Sequence, residues 1–325
     1  PSSPLWPDWN IEIDRLRVSD NQISYVVDDA APEYGKFDPN AIDLIGFTLI
    51  GDGVFLRDQT TGGQLSALSF EEASGISVDE IRFDWGINDR QILITNVSIE
   101  ALNSHLQGEI RANYPTLQAL MDQPELVQFD LDLAQYNLDL NQIDRFQPDL
   151  MSNPYVQPLA ENPIWGTGWI AGSLDEIQIE EVTINWGNRT SIFGMGTIRN
   201  PMDPPLMEVN FPNVLFRTER QELNKFLHED SLGIRYPDQV RLTADFSGDL
   251  DDMTTDILLE TDLGRVVVDG QFALSDTLAF QSNIQVVNLR LDSMMQTPAL
   301  GTLSVTASGQ GRGQNMNSMN ADFKA

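Results

Sequence analysis

A nine-residue strand pattern occurs three times in the chain, and it constrains the fold more than any other feature of the sequence. Without gaps, Asp130–Leu138 aligns with Glu208–Phe216 and with Asn283–Leu291. The first, third and sixth positions of each copy are polar, whereas the second, fourth, seventh and ninth are apolar. Recurrence of one strand pattern roughly every 75 residues predicts a tandem array of supersecondary units.

Other short segments recur at a similar spacing. Glycine-centred runs, Gln107–Ile110, Met195–Ile198 and Asp269–Phe272, precede the three nonamers, and short polar runs that predict a helical turn follow each nonamer. Each cassette is predicted to contain a hairpin, a glycine-containing strand, the nonamer strand and a helical turn. One continuous array over residues 1–325 is therefore expected, with approximate cassettes 1–74, 75–160, 161–236, 237–300 and an incomplete 301–325.

Alternation of apolar and polar residues dominates the chain, and helical periodicity is scarce. Short helices are predicted only over Thr116–Met121, Asn141–Phe146, Glu219–Leu227 and Asp292–Met295. The predicted strands are Ile11–Val18, Gln22–Val27, Ala41–Ile50, Val54–Asp58, Glu80–Trp85, Gln91–Ala101, Leu106–Asn113, Val127–Leu140, Ile177–Trp186, Thr190–Arg199, Met207–Arg217, Val240–Ser247, Thr254–Thr261, Arg265–Leu274, Ala279–Leu291 and Thr302–Ser308.

Composition excludes several classes of function. The 325 residues include 49 acidic and 19 basic side chains, so the net charge is −30 and the chain repels phosphate backbones and anionic headgroups. No cysteine is present, which removes disulfides, thiolate metal sites and cysteine nucleophiles. No run of 18 apolar residues occurs, and the start at Pro1-Ser-Ser-Pro4 suggests a segment of something longer.

Stacked cassettes would form a long antiparallel sheet with one apolar side and too few helices to cover it. That side can pack on a second sheet, close into a barrel, or line a trough that holds something else. Only the trough gives an exposed apolar face a function. The residues predicted to line it are Leu131, Leu133, Ile192, Ile198, Val209, Phe211, Val266, Val268, Phe272, Leu274, Ile284 and Val286.

The segments Leu68–Val78 and Ile94–Leu106, together with the three nonamers, resemble the TamB family in the wider AsmA-like group of bridge-like lipid transfer proteins. The resemblance implies an all-β fold: an elongated, curled antiparallel sheet (a β-taco) of repeated strand cassettes with a few short helices and an open hydrophobic groove. It further implies a periplasmic location, an inner-membrane anchor outside these residues, phospholipid acyl chains as cargo, and an outer-membrane barrel partner of the TamA or BamA type.

The predicted function is that of a segment of a periplasm-spanning protein that conducts phospholipid acyl chains toward the outer membrane and supports outer-membrane biogenesis. The alternative is an extracellular β-sandwich adhesin or interaction protein with a closed core. A carbohydrate-active enzyme is a third class to consider, since Asp130 and Asp132 or Asp249, Asp251 and Asp252 could form carboxylate or calcium sites. Neither they nor the isolated His105 and His228 match a known catalytic or metal-binding spacing, so no enzyme, cofactor or metal is predicted.

Overall fold

The structure, a computed structural model, describes residues 6–27, 30–146, 150–274, 278–313 and 320–325. Pro1 to Pro4, on which the expectation of a longer protein depended, lie outside the described residues. The chain divides into two compact units, Pro1–Ser173 and Leu174–Ala325. This division does not test the five predicted cassettes, which stay a prediction from the sequence.

The first unit contains eight strands. They are β1 (Ile11–Val26), β2 (Ala41–Arg57), β3 (Thr60–Glu72), β4 (Ser77–Ile87), β5 (Gln91–Ala101), β6 (Ser104–Asn113), β7 (Gln128–Leu138) and β8 (Ile164–Gly172). Each strand pairs antiparallel with the next along the chain. Two short helices, α1 (Leu117–Asp122) and α2 (Val156–Leu159), lie in the connections on either side of β7, together with 3₁₀ turns over Pro124–Leu126, Leu140–Arg145 and Leu150–Ser152.

The second unit contains nine strands that also pair antiparallel in chain order. They are β9 (Glu176–Trp186), β10 (Thr190–Arg199), β11 (Glu208–Glu219), β12 (Gln239–Asp249), β13 (Met253–Thr261), β14 (Gly264–Ala273), β15 (Leu278–Arg290), β16 (Thr302–Gly313) and β17 (Asn320–Lys324). A 3₁₀ turn spans Pro204–Leu206, and three short helices, α3 (Arg220–Phe226), α4 (Glu229–Leu232) and α5 (Leu291–Met294), follow β11 and β15.

The all-β, antiparallel architecture with a few short helices is confirmed. The sheet of each unit is open and uncurled, which corrects the curled form in the prediction. The physical reason is that no pairing closes either sheet: among the described residues each strand pairs only with its neighbours in the chain, and the close strand-to-strand contacts within each unit follow the same order. A meander of this kind fixes strand pairing without bringing its first strand back to its last.

The three nonamers lie in β7, β11 and β15, and each carries a β-bulge at the same place. The register shifts between Leu133 and Tyr136, between Phe211 and Val214, and between Val286 and Leu289. These pairs are positions four and seven of the nonamer. A bulge adds one residue to a strand and resets its alternation, so positions two, four and seven point to one face in all three copies, and position nine joins them in β7 and β11. The repeated sequence pattern is therefore the signature of a repeated bulge.

Asparagine occupies the bulge in two of the three copies. Asn213 and Asn288, both at the sixth position, have φ angles of 54° and 52°. Asparagine adopts this left-handed conformation more readily than most residues that carry a side chain.

The glycine-centred runs are the strands that pair directly with the nonamers. Gly108 lies in β6 beside β7, and Gly196 lies in β10 beside β11. A Cβ at Gly108 would lie 2.1 Å from the backbone oxygen of Asp132, and one at Gly196 would lie 2.3 Å from that of Asn210. Both oxygens belong to the third nonamer position. Glycine is required here because the bulged neighbour approaches too closely for any side chain.

Candidate functional site

The strand register of the second unit separates charged from apolar side chains. Directly paired residues share a face of a sheet. One face carries Val266, Val268, Ile284 and Val286. We call this side the apolar face and the opposite side the polar face. Among the paired positions that the structure describes in β9 to β17, every Asp, Glu, Lys and Arg lies on the polar face. The apolar face is therefore free of charge across nine strands at those positions.

Rows of apolar side chains cross the apolar face from strand to strand. One row, from β12 to β16, contains Ala244, Ile257, Val268, Ile284 and Ala307. The next row on this face contains Leu242, Leu259, Val266, Val286 and Val305. Because neighbouring strands are about 4.8 Å apart, these five strands span roughly 19 Å. The rows offer nearly equivalent apolar positions along that distance.

Aromatic rings on this face lie over glycines. A Cβ built on Gly311 would meet the ring of Phe280 at 2.5 Å, and one on Gly196 would meet the ring of Phe211 at 2.5 Å. The ring of Phe272 lies farther from its glycine, 3.2 Å from a Cβ built on Gly270. Such rings occupy the space of the missing side chains instead of standing upright on the sheet. Their faces therefore form part of the floor of the apolar face.

The apolar face is only partly covered. Val268, Ile257 and Ile284 are half-buried, and Ile192 is exposed. No apolar side chain larger than alanine is fully buried among the described residues. The chain exposes 19616 Å², whereas two separate compact domains of half its mass would expose roughly 16,000 Å². The large exposed area agrees with sheets that leave one apolar side uncovered.

The first unit shows the same segregation from β4 to β8. Trp85, Ile94, Ile110, Leu131 and Ile170 form one row across its apolar face. All charged residues at the described paired positions of these five strands lie on the opposite, polar face. Tyr136 also lies on the apolar face, and burial raises the pKa of its hydroxyl above the usual range. A raised phenol pKa is the expected effect of apolar surroundings.

The twelve residues predicted to line a lipid trough divide between the units. Leu131 and Leu133 lie on the apolar face of the first unit. Nine residues lie on the apolar face of the second unit, namely Ile192, Ile198, Val209, Phe211, Val266, Val268, Phe272, Ile284 and Val286. Leu274 follows the end of β14 and is 54% exposed. The structure places eleven of these twelve side chains on open sheet faces, and their role as the lining of an open lipid groove remains a prediction.

Sequence reasoning missed two strands of the first unit. Strands β3 and β8 were not predicted, because Gly62 and Gly63 interrupt the alternation in β3 and glycines alternate with Trp165 and Trp169 in β8. In β8 the glycines lie on the apolar face and the tryptophans on the polar face. The regular spacing of Gly166, Gly168 and Gly172 was the available signal for that strand.

The alternative candidate sites have structural roles. Asp249 accepts hydrogen bonds from the backbone N–H groups of Asp251 and Asp252, both at 2.8 Å, so it closes the turn between β12 and β13. His105 Nδ1 lies 3.6 Å from a Glu100 carboxylate oxygen. Within the described ranges, no group of three or more His, Asp or Glu side chains is arranged to hold a metal ion. The described residues also contain no helix that is long and apolar enough to cross a bilayer.

No protein-family model, curated protein or solved structure matches the chain. The resemblance to the TamB family therefore remains a prediction from the sequence.

Proposed function

We propose that the apolar faces bind the acyl chains of lipids, and that the protein conducts phospholipid along them toward the outer membrane in support of outer-membrane biogenesis. The observation that carries this proposal is the uncharged, half-exposed apolar face of the second unit. The periplasmic location, the direction of movement and a barrel partner of the TamA or BamA type are supported by the sequence resemblance alone.

The openness of the face sets the strength of binding. Burying a methylene completely stabilises by about 0.8 kcal/mol, so a methylene covered on one side gains about 0.4 kcal/mol. An acyl chain with fourteen methylenes would then gain about 5–6 kcal/mol on one face. Binding of this strength corresponds to dissociation constants on the order of 0.1 mM. Weak binding suits transfer, because a tightly held chain would not move on.

The repeated rows suit movement as well as binding. A chain that lies on Val268 and Ile284 meets a comparable pair, Val266 and Val286, one row further along the strands. Equivalent apolar positions produce no deep energy minimum between rows. A polar or charged side chain on the face would create a barrier, and the described paired positions of the second unit carry no charge there.

The competing function is an adhesin or interaction protein with a closed core. A closed sandwich buries the apolar sides of two sheets against each other. The half-exposed state of Val268, Ile257 and Ile284 favours the lipid-binding function over a sealed core.

The test is the phospholipid that the chain holds in solution at equilibrium with sedimentable vesicles, measured in the supernatant by solvent extraction and mass spectrometry. Wild-type protein is expected to carry phospholipid, and Ile284→Lys on the apolar face is expected to lose most of it. Gln285→Lys is the matched control, because Gln285 lies next in the chain on the polar face. Absence of lipid from folded wild-type protein, or equal lipid in both variants, would contradict the proposal.

A further inference from the structure

The polar face of the first unit contains a cleft of about 680 Å³. Each of the five strand pairings from β3–β4 to β7–β8 has a register shift along this band of the sheet, and the extra residues there lie in β3, β5 and β7. Bulges bend strands and redirect side chains, and they are common beside functional sites. The volume lies in the range of pockets that hold small organic ligands.

The cleft is lined by hydrogen-bonding side chains. Arg82, Ser98 and Gln107 form one directly paired row across β4, β5 and β6. Further polar residues that line the cleft are Gln64, Ser66, Asp84, Asn96, Glu109 and Asp132. The amide of Asn96 donates to Asp84 at 2.7 Å, which fixes both planar groups at the edge of the cleft.

Ser98 is the residue that points to a ligand. It is 3% exposed, and its hydroxyl has no hydrogen-bond partner in the structure. A buried hydroxyl without a partner costs about 1–3 kcal/mol, so native proteins rarely leave one unsatisfied. The hydroxyl oxygen has almost no accessible surface, and Ser98 lines the cleft, so rotation of its side chain toward the cleft would let a ligand supply the missing partner.

A second, smaller cleft of about 220 Å³ adjoins the first, and both are lined by Glu109 and Asp132. Trp169 lies directly beside Asp132 in the register and is 48% exposed. Its indole N–H donates to Asp130 at 3.3 Å, which fixes the ring on the sheet. An exposed indole held in one orientation presents a flat apolar surface beside the polar cleft.

A flat aromatic surface next to paired carboxylates, amides and a guanidinium matches the chemistry of a sugar. A pyranose ring presents C–H groups on its face and hydroxyls around its rim. The C–H face can stack on Trp169, while the hydroxyls bond to carboxylate, amide and guanidinium groups. The lining of the cleft has a net negative charge, which disfavours acidic sugars. It contains three carboxylates, of Asp84, Glu109 and Asp132, and one guanidinium, of Arg82.

We propose that the polar face of the first unit binds a neutral oligosaccharide. One sugar ring would stack on Trp169, and the next would lie in the larger cleft that Ser98 lines. The direct pairing of Glu109 with Asp132 supports a binding role, because like charges opposite each other destabilise a sheet. This site lies on the face opposite the proposed lipid-binding surface. The sugar-binding proposal can therefore be tested independently of lipid transport.

The test is isothermal titration calorimetry of the full chain with maltotriose, cellotriose and tri-N-acetylchitotriose, and with trigalacturonic acid as the acidic comparison. At least one neutral trisaccharide is expected to bind. Trp169→Ala should weaken its binding at least tenfold, and Ser98→Ala about fivefold. Trp165→Ala is the matched control, because Trp165 lies on the same strand and face but outside both clefts; it should change affinity less than twofold.

A thermal melt separates binding from folding. Ser98→Ala should leave the melting temperature unchanged or raise it, because the substitution removes an unsatisfied buried hydroxyl. Three results would each overturn the proposal: no binding of any neutral trisaccharide at millimolar concentration, tighter binding of trigalacturonic acid, or binding that both Trp169→Ala and Ser98→Ala leave intact.

Discussion

Two neighbouring valines offer the sharpest test of an open lipid-binding face. Val268 points to the apolar face between Ile257 and Ile284, and Val267 points to the polar face between Leu258 and Gln285. Both are half-buried in the middle of β14. Replacing either by lysine introduces the same charge at the same depth of the sheet. Only the face differs, so the pair separates binding from general effects on folding.

The expected loss follows from the geometry of the row. A lysine at Val268 would keep about four methylenes of an acyl chain away from the sheet, and each contributes about 0.4 kcal/mol when covered on one side. The loss of about 1.6 kcal/mol corresponds to roughly fifteenfold weaker binding. Val267→Lys leaves the apolar face unchanged and should bind within twofold of wild type.

The assay is a fluorescence titration with a single-chain, zwitterionic lysophosphatidylcholine probe below its critical micelle concentration. A probe without net charge limits electrostatic attraction to the new lysine. Circular dichroism should show the same strand content in both variants. Equal binding by wild type and Val268→Lys, or an equal loss in Val267→Lys, would refute the reasoning that the apolar face is the binding surface.

Three further predictions concern the sheet that supports this face. In chemical denaturation, Gly196→Ala should lower the free energy of unfolding by about 1–3 kcal/mol because of overpacking. Gly194→Ala is the control and should leave that free energy nearly unchanged, because its Cβ would meet only a side-chain carbon at 3.8 Å. Asn213→Val should destabilise by about 1–2 kcal/mol because a β-branched residue disfavours its left-handed conformation, while Asn213→Gly should not. The hydrogen bond from Arg220 lowers the pKa of Glu229 below its ordinary value of 4.5, so its stabilising effect is complete above that value and disappears as the pH falls through the lowered pKa. Melting temperatures of wild type and Glu229→Gln should therefore differ at pH 7 and converge once the pH falls below the lowered pKa of Glu229.

The sequence predicts the bounds of β5 and β10 as they are observed, although the pairing of both strands contains register shifts. The prediction fails at β1, because the predicted strands Ile11–Val18 and Gln22–Val27 are one strand with Asp20 at a φ of 55°. The nonamer pattern contained the information for a bulge, since the apolar positions four and seven are an odd number of residues apart and would lie on opposite faces of a regular strand.

The two candidate sites differ in how far local sequence determines them. Faces such as that of Val266 and Val268 follow from alternation within one strand, so all but one of the predicted lining residues lie on apolar faces within strands. The proposed sugar site depends on register shifts in five strand pairings and on Trp169, which lines the adjoining cleft and is 71 positions from Ser98 in the chain. Such a site requires the pairing of distant strands and cannot be inferred from one segment.

Site-specific photo-crosslinking tests the central claim most directly. A benzophenone side chain replaces either Phe272 on the apolar face or Gln271 on the polar face, and the full chain is irradiated with phospholipid vesicles. Mass spectrometry should find lipid adducts at position 272 and few at 271. Equal labelling at both positions, or no adduct at 272 in folded protein, would contradict the account.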